Sequence, residues 1–276
     1  LSDLNVSKND SNLGYFSKPF RVNYKNQELI IKKYLPVSDD KIVKAILENH
    51  DSYISELKAI GIKIPETLIR EVKTKNHSQI IIIQEAFLKE ELLRNRVETS
   101  PEEDLTELCK FIFDETIKFV NNRRDPLGIG FHPTLRNFAL RDGVLYYFDS
   151  FPPMLMNQRE LNKVIIRMSP FGQIFRKIIP LKLINLVSDE YYSFEKMFTG
   201  IAGSFCRLRP ESNDVILAFS REYIERSNCS SQEKQNILKN LNKPPDLPLF
   251  WTFFRRISGN VGKPNVKLPQ TNQKVL

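Results

Sequence analysis

Hydrophobic and polar positions along the first third of the chain follow patterns that predict a small sheet and one helix. Four stretches are β-branched, aromatic or alternating in polarity, and we interpret them as strands: residues 13–22, 27–34, 62–70 and 80–83. A turn at 23–26 joins the first two. From 39 to 60 the apolar positions recur at helical spacing, and Gly61 marks the end of that helix.

Helical spacing dominates the rest of the chain. The run Ser100 to Glu103 combines a capping box with proline at the first helical position, so we expect a helix from Ser100 to about Asn121. Three further amphipathic stretches predict helices: residues 193–205, 213–227 and 231–241. Residues 259–276 hold few apolar side chains, and we expect an extended tail there.

A hairpin carries the first candidate for chemistry. Two short apolar runs flank Asp142-Gly143, a dipeptide that suits a two-residue hairpin turn. With that turn, Asn137 lies opposite Phe148 and beside Asp149, so a carboxamide and a carboxylate meet at the open end of the hairpin. Hard cations such as magnesium take oxygen ligands of this kind, with phosphates and water completing the shell. The alternative is an ordinary surface hairpin with polar ends.

A strand that ends in lysine is the second candidate, because it can present an ammonium group to a phosphate. Residues 28–35 form such a run, with Lys32 and Lys33 on opposite faces. The order of strand lysine, helix, connector, loop asparagine and aspartate resembles the protein-kinase-like superfamily, in particular its aminoglycoside phosphotransferase and choline kinase branch. The resemblance covers residues 13–153. It favours Lys32, because the family places an aromatic residue two positions later, where Tyr34 stands.

This resemblance implies a two-lobed α+β fold. A small antiparallel-sheet lobe would occupy residues 1–86, a mostly helical lobe residues 87–258, and a tail residues 259–276. The resemblance also implies ATP and Mg2+ as cofactors. The residues that it assigns to them are Lys32 on the phosphates, Gln84, Glu85 and Phe87 in the connector that holds adenine, and Asn137 and Asp149 on magnesium.

The chain departs from the family where catalysis is expected. His132 stands in the place of the catalytic aspartate, five residues before the asparagine. A neutral imidazole can act as a general base near an acceptor hydroxyl, and the alternative is that His132 only hydrogen-bonds within a loop that has lost catalysis. The acidic helix partner of the lysine falls near His50, whose apolar surroundings favour a core role, with Glu48 and Asp51 as alternatives. The phosphate-covering loop, residues 14–19, holds a single glycine.

Composition narrows the class of partner. The 276 residues carry 41 basic and 33 acidic side chains, a formal charge of +8. Stretches 161–188 and 251–276 each hold five basic residues and no acid. We therefore expect an anionic partner, either a phosphorylated or acidic small molecule or a membrane surface. Nucleic acid is not expected, since the basic positions alternate with long aliphatic side chains and no nucleic-acid motif is present.

Cysteines and hydropathy bear on location. Three widely spaced cysteines fit free thiols in a reducing cytoplasm, and their spacing argues against a disulfide scaffold or zinc site. No run of about 18 apolar residues is present, so no transmembrane helix is expected.

Two function classes follow. The first is an ATP- and magnesium-dependent phosphotransferase acting on a small hydroxylated molecule. The second is a pseudokinase, a nucleotide-binding or inactive module that works by interaction. We favour the first because both predicted metal ligands are present, whereas inactive sites usually lose them. The pattern of residues does not predict the substrate.

Overall fold

The computed structural model describes residues 5–6, 17–34, 36–37, 39–73, 75, 77–168 and 188–246. Its strands and helices in chain order are β1 (Asn5–Val6), β2 (Ser17–Tyr24), β3 (Gln27–Tyr34), α1 (Asp40–Ile60), β4 (Thr67–Lys73), β5 (Ser78–Glu85), α2 (Leu93–Thr99), α3 (Leu105–Asn122), β6 (Phe138–Arg141), β7 (Val144–Tyr147), α4 (Gln158–Met168), α5 (Phe194–Leu208), α6 (Asn213–Arg226) and α7 (Ser231–Asn240). The fold is α+β, with a small antiparallel sheet followed by a helical part, as the sequence predicts.

The sheet contains β1 to β5 in the order β1-β2-β3-β5-β4, with every neighbouring pair antiparallel. Lys25 and Asn26, with φ of 49° and 62°, form the predicted turn between β2 and β3. Side chains alternate along β5, and its buried positions Ile80 and Ile82 pack with α1 in a small apolar core. Lys32 is paired with Ile82 and therefore shares this inner face.

Helix α1 has the ends that its sequence predicts. The Asp39 side chain caps the amino end by accepting from the backbone N–H groups of Lys41 and Ile42. Gly61 ends the helix with φ 98°, a left-handed conformation that glycine adopts without strain. The apolar face between these ends includes Tyr53 and Leu57, both fully buried against the helical part.

The helical part is built around α3, which packs against α5 and α6. Aromatic rings fill the contact: Phe113 of α3 stacks on Phe198 at 4.1 Å between centroids and lies 5.1 Å from Tyr223. The two strands of the second sheet, β6 and β7, form a separate hairpin whose buried residues belong to the same core. This core supports the hairpin.

The predicted capping box at Ser100 is wrong. Ser100 ends α2, a short helix that the pattern does not predict, and α3 begins at Leu105 after a 3-10 turn. Distant contacts explain the difference, because the Ser100 carbonyl accepts from Arg209 Nη1 at 2.6 Å and the Glu102 carboxylate accepts from the Ser212 hydroxyl.

The strand predicted at 62–70 is also displaced. Its regular pairing begins only at Thr67, since Ile62 and Ile64 are buried in the core of the helical part. Helices predicted from 193, 213 and 231 are confirmed, with the last capped by a Ser230–Glu233 box.

Several predictions fall wholly or partly on residues that are not described. The described residues do not include the loop at 14–16, most of the basic stretch 161–188, or the stretch 251–276 with its tail. None of the helices that the structure describes combines the length and apolar character needed to cross a membrane.

Candidate functional site

The β6–β7 hairpin brings the predicted carboxamide and carboxylate together. Asp142 and Gly143, with φ of 50° and 73°, form its turn, as the Asp-Gly dipeptide predicts. One step beyond the paired strands, the Phe148 N–H donates to the Asn137 carbonyl at 3.0 Å. The predicted register is confirmed, and Asp149 follows directly at the open end.

Three side chains meet at this open end. Asn137 Nδ2 donates to Asp149 Oδ2 at 2.8 Å and to the His132 carbonyl at 3.0 Å, and lies 3.2 Å from His132 Nδ1. The distance from His132 Nδ1 to Asp149 Oδ2 is 3.5 Å. The side chains of His132 and Asp149 keep 21% and 29% of their surface exposed, so a ligand can reach both. With Lys32, these residues form what we call the lysine–aspartate cluster.

Electrostatics keep Asp149 ionised. Burial alone would favour the neutral acid, but hydrogen bonding and charge from His132, followed by the charges of Lys32 and Arg136, outweigh it. The pKa of Asp149 therefore lies below its ordinary value of 3.8. The carboxylate is charged at neutral pH, as a metal ligand must be.

Lys32 reaches the hairpin from the sheet. Its Nζ donates to the Phe148 carbonyl at 2.7 Å and lies 5.3 Å from the centre of the Phe148 ring. Burial lowers the pKa of Lys32 to about 8, although the Asp149 carboxylate opposes this shift. Lys33 is exposed on the opposite side of β3. Of the two lysines, the structure therefore brings Lys32 to the cluster.

His50 occupies the place on α1 where the resemblance expects an acid. It is buried, and its Nε2 lies 3.1 Å from the Ser150 hydroxyl. Burial lowers the pKa of His50 below its ordinary value of 6.5, although the adjacent Asp51 opposes the shift. The core role expected for His50 is confirmed. Asp51 is exposed, and Glu48 is exposed beside Lys44, at 3.6 Å, so neither replaces it at the lysine.

The segment after Asp149 is fastened to α1 and to β3. The Asn49 side chain donates to the Leu155 carbonyl at 3.0 Å, and the Phe151 ring stacks on Tyr34 at 3.8 Å. These contacts, with the His50–Ser150 pair, fix the position from which Asp149 faces the sheet.

One arginine of the hairpin holds the connector at residues 84–87. Arg141 is ion-paired with Glu85 and with Glu91, the latter at 2.7 Å from Nε to Oε1, and its Nη2 donates to the Ala86 carbonyl at 3.0 Å. Its guanidinium also lies 4.5 Å from the centre of the Phe87 ring. We call these five residues the Arg141 network.

Other groups of the connector are engaged as well. The buried Gln84 side chain donates to the Thr67 hydroxyl at 2.9 Å, and the Phe87 carbonyl accepts from Arg21 Nη2 at 2.8 Å. The Phe87 ring lies 5.9 Å from the ring of Phe148. Of the predicted adenine-binding residues, Phe87 thus lies near Phe148, whose carbonyl accepts from Lys32. The role of Gln84, Glu85 and Phe87 in binding stays a prediction.

The sequence pattern gives little sign of two charged residues beside the site. Arg141 contacts acids 50 and 56 positions earlier, and such long-range contacts leave no local pattern. Arg136 directly precedes Asn137, so its place next to a predicted ligand is the one signal that could have found it.

The donor set of the cluster fits a magnesium ion only in the company of phosphates. Asp149 supplies a carboxylate and Asn137 an amide oxygen, which are ligands that Mg2+ accepts. The amide NH2 of Asn137 now faces Asp149, so its oxygen would have to turn toward the ion. The described part of the chain contains no group of three or more His, Cys, Asp and Glu that could hold a metal by itself.

Comparison with known proteins places the chain in a family without assigning an activity. Residues 5–262 match the model of a family of unknown function, DUF6206. Because this match covers most of the chain, the protein belongs to that family. The search of curated proteins finds no match.

Proposed function

We propose that this member of the DUF6206 family has a two-lobed, protein-kinase-like arrangement and is an ATP- and magnesium-dependent phosphotransferase acting on a small hydroxylated molecule. The lysine–aspartate cluster carries the proposal. A strand lysine, a loop amide and a carboxylate meet there from separate parts of the sequence, in the order expected of that superfamily.

Each member of the cluster has a role that its chemistry allows. Lys32, with a pKa of about 8, is mostly protonated at neutral pH and would bind phosphate oxygens. Asn137 and Asp149 would hold magnesium, which neutralises phosphate charge when it is bound. His132 turns Nδ1 toward Asn137 and Asp149, so Nε2 would take the proton of the acceptor hydroxyl.

The state of the thiols supports a cytoplasmic location for this activity. Cys109 and Cys206 are free and buried, and burial raises the pKa of Cys206 to about 11. Free thiols are the usual state of cysteine in a reducing compartment, where ATP is also present.

A second candidate, an inactive pseudokinase, is favoured by the Arg141 network. The carbonyls of Ala86 and Phe87 lie in the segment proposed to hold adenine, and both already accept from arginine side chains. Lys32 donates to a backbone carbonyl and meets no acid from α1. In this candidate the protein's own arginine side chains occupy the connector carbonyls that adenine would use. The protein would then act by binding a partner and not by catalysis.

A thermal-shift screen of the full chain against ATP, ADP and GTP, each with magnesium or with EDTA, tests the proposal. Magnesium-dependent stabilisation by a nucleoside triphosphate is the expected result, because ligand binding raises the melting temperature. Absence of a response to all three nucleotides would favour the inactive module.

A further inference from the structure

Two arginines, Arg94 and Arg136, lie on two packed elements next to the turn that carries Asn137, outside the lysine–aspartate cluster. Arg94 is in the first turn of α2, and Arg136 is in the 3-10 turn Leu135–Asn137, which packs directly against α2. On the other side, the Tyr191 ring packs edge-on against the His132 ring at 4.7 Å. The Phe131 N–H donates to the Tyr191 carbonyl at 2.8 Å and so fixes the position of Tyr191 next to His132.

The two guanidinium groups are poorly satisfied by the protein. The Arg94 side chain is only 18% exposed, its nearest carboxylate oxygen is Glu98 Oε2 at 3.4 Å, and its Nε is buried without a hydrogen-bond partner. Arg136 is half-buried, and within the described parts of the chain no side chain or carbonyl forms an ion pair or hydrogen bond with its guanidinium.

Nearby acids neutralise this pair only in part, since Glu98 faces Arg94 at 3.4 Å. Asp149 and Glu190 both act on Arg136 through their charge, but Asp149 is already bound by Asn137 and Glu190 also faces Arg207. Burial, with the charge of Arg94, lowers the pKa of Arg136. Two half-buried cations on packed elements lose solvation and repel each other, and an oxyanion bound by both would reduce that cost.

We infer that Arg94 and Arg136 form a subsite for an oxyanion, a phosphate or carboxylate group carried by the small molecule that binds beside His132. Guanidinium groups match such oxyanions in a bidentate manner, and two of them can hold both oxygens of one group. The assignment of this molecule as the phosphoryl acceptor rests on the proposed function. Binding of the anion itself needs neither nucleotide nor metal.

Titration of the full chain with inorganic phosphate and with acetate, in EDTA and at constant ionic strength, tests this subsite. We expect saturable binding of at least one anion by calorimetry, with phosphate or acetate indicating which group the substrate carries. Arg136→Gln and Arg94→Gln should each weaken it about tenfold or more, the size of one lost charge-assisted hydrogen bond. Arg136→Lys keeps the positive charge but loses the planar, bidentate guanidinium, so it should lose less anion affinity. It also serves as a second variant if Arg136→Gln fails to fold.

Two control variants locate the bound anion. Arg124→Gln removes a charge of 83% exposure and should leave the affinity unchanged. Lys32→Met reports anion that binds at the lysine–aspartate cluster instead of at the two arginines. Three results would overturn the inference. Arg124→Gln could lose as much anion affinity as the Arg94 and Arg136 variants, the loss of affinity could be confined to Lys32→Met, or the wild type could show no saturable binding of either anion. Anion binding that depends on Arg94 and Arg136, in a chain that fails to bind any nucleotide, would support the subsite and count against the proposed phosphotransferase.

Discussion

The lysine–aspartate cluster and the Arg141 network lie at two ends of the same region but differ in how their charges are satisfied. Every nitrogen of the Arg141 guanidinium has a partner, supplied by two carboxylates and one carbonyl. Lys32 has three N–H donors and, among the described residues, one hydrogen bond, to a backbone carbonyl. The Arg141 network is complete without a ligand, whereas the lysine–aspartate cluster retains bonding capacity. We therefore propose that ligand chemistry belongs to the cluster and that the network has a structural role.

The largest expected effect is that of Asp149→Ala. If Asn137 and Asp149 hold magnesium between phosphates, the ion loses the carboxylate that we assign to it, and magnesium-dependent ATP binding should be abolished. Calorimetry measures the affinity, and circular dichroism checks that the fold survives. Asp214→Ala, which removes an exposed carboxylate from α6, is the matched control and should bind like the wild type. Unchanged affinity in Asp149→Ala would rule out this site for the metal.

His132→Ala should have the next largest effect, and it concerns turnover. Loss of a general base costs about a hundredfold in rate, while nucleotide affinity should change little. Phosphoryl transfer to hydroxylated substrates is the measurement, with His132→Asp expected to retain or raise the rate. A wild type without transfer, together with a His132→Asp variant that gains ATP hydrolysis, would mean that the site is degenerate.

Lys32→Met and Lys33→Met form a matched pair on one strand. We expect Lys32→Met to weaken nucleotide binding about tenfold or more, the loss of a charge-assisted phosphate contact, because only this lysine reaches the cluster. Lys33→Met should bind normally, since its side chain is exposed on the other face. Equal effects in the two variants would contradict the assignment of the lysine.

Arg141→Ala should show the reverse pattern, with a loss of stability and little change in nucleotide affinity. Glu85 and Glu91 would lose their partner, a cost of about 2 kcal/mol in the free energy of unfolding by analogy with hydrogen bonds to charged groups. Chemical denaturation and calorimetry measure the two quantities. A marked gain in nucleotide affinity would show that the network closes the adenine site of the wild type, as the pseudokinase candidate requires.

The smallest effect concerns acid stability through His50. Because its pKa is lower in the folded protein than its ordinary 6.5, the unfolded chain binds this proton more readily. The stabilisation is complete above that ordinary value and is lost as the pH falls through the folded value, so the wild type should melt lower at about pH 5.5 than at about pH 8. His50→Asn should melt lower overall and show a weaker pH dependence. An equal pH dependence in both proteins would assign the effect to other groups.

The parts of the fold that local sequence specifies were predictable. Asp142-Gly143 specifies a turn with positive φ at both positions, and the register from Asn137 to Asp149 follows from it. The ends of α1 are likewise determined by Asp39 and Gly61, which act within a few residues of themselves. These residues were sufficient to predict the central pair of the candidate site.

Long-range contacts explain what could not be predicted. Ser100 has the sequence of a helix cap, but its carbonyl is used by Arg209, more than a hundred residues later, and α3 begins elsewhere. The Arg141 network and the Arg94–Arg136 pair join segments that are distant in sequence, so neither leaves a periodic pattern. His50 falls at an acidic position of the resembling family, and its contact with Ser150 is visible only in the folded chain.

The most direct test of the central claim is calorimetric titration of the wild-type chain with ATP, once with magnesium and once with EDTA. The account predicts saturable binding that is clearly tighter with magnesium, because the ion would join the phosphates to Asn137 and Asp149. Binding of equal strength in both titrations, or no binding in either, would contradict it.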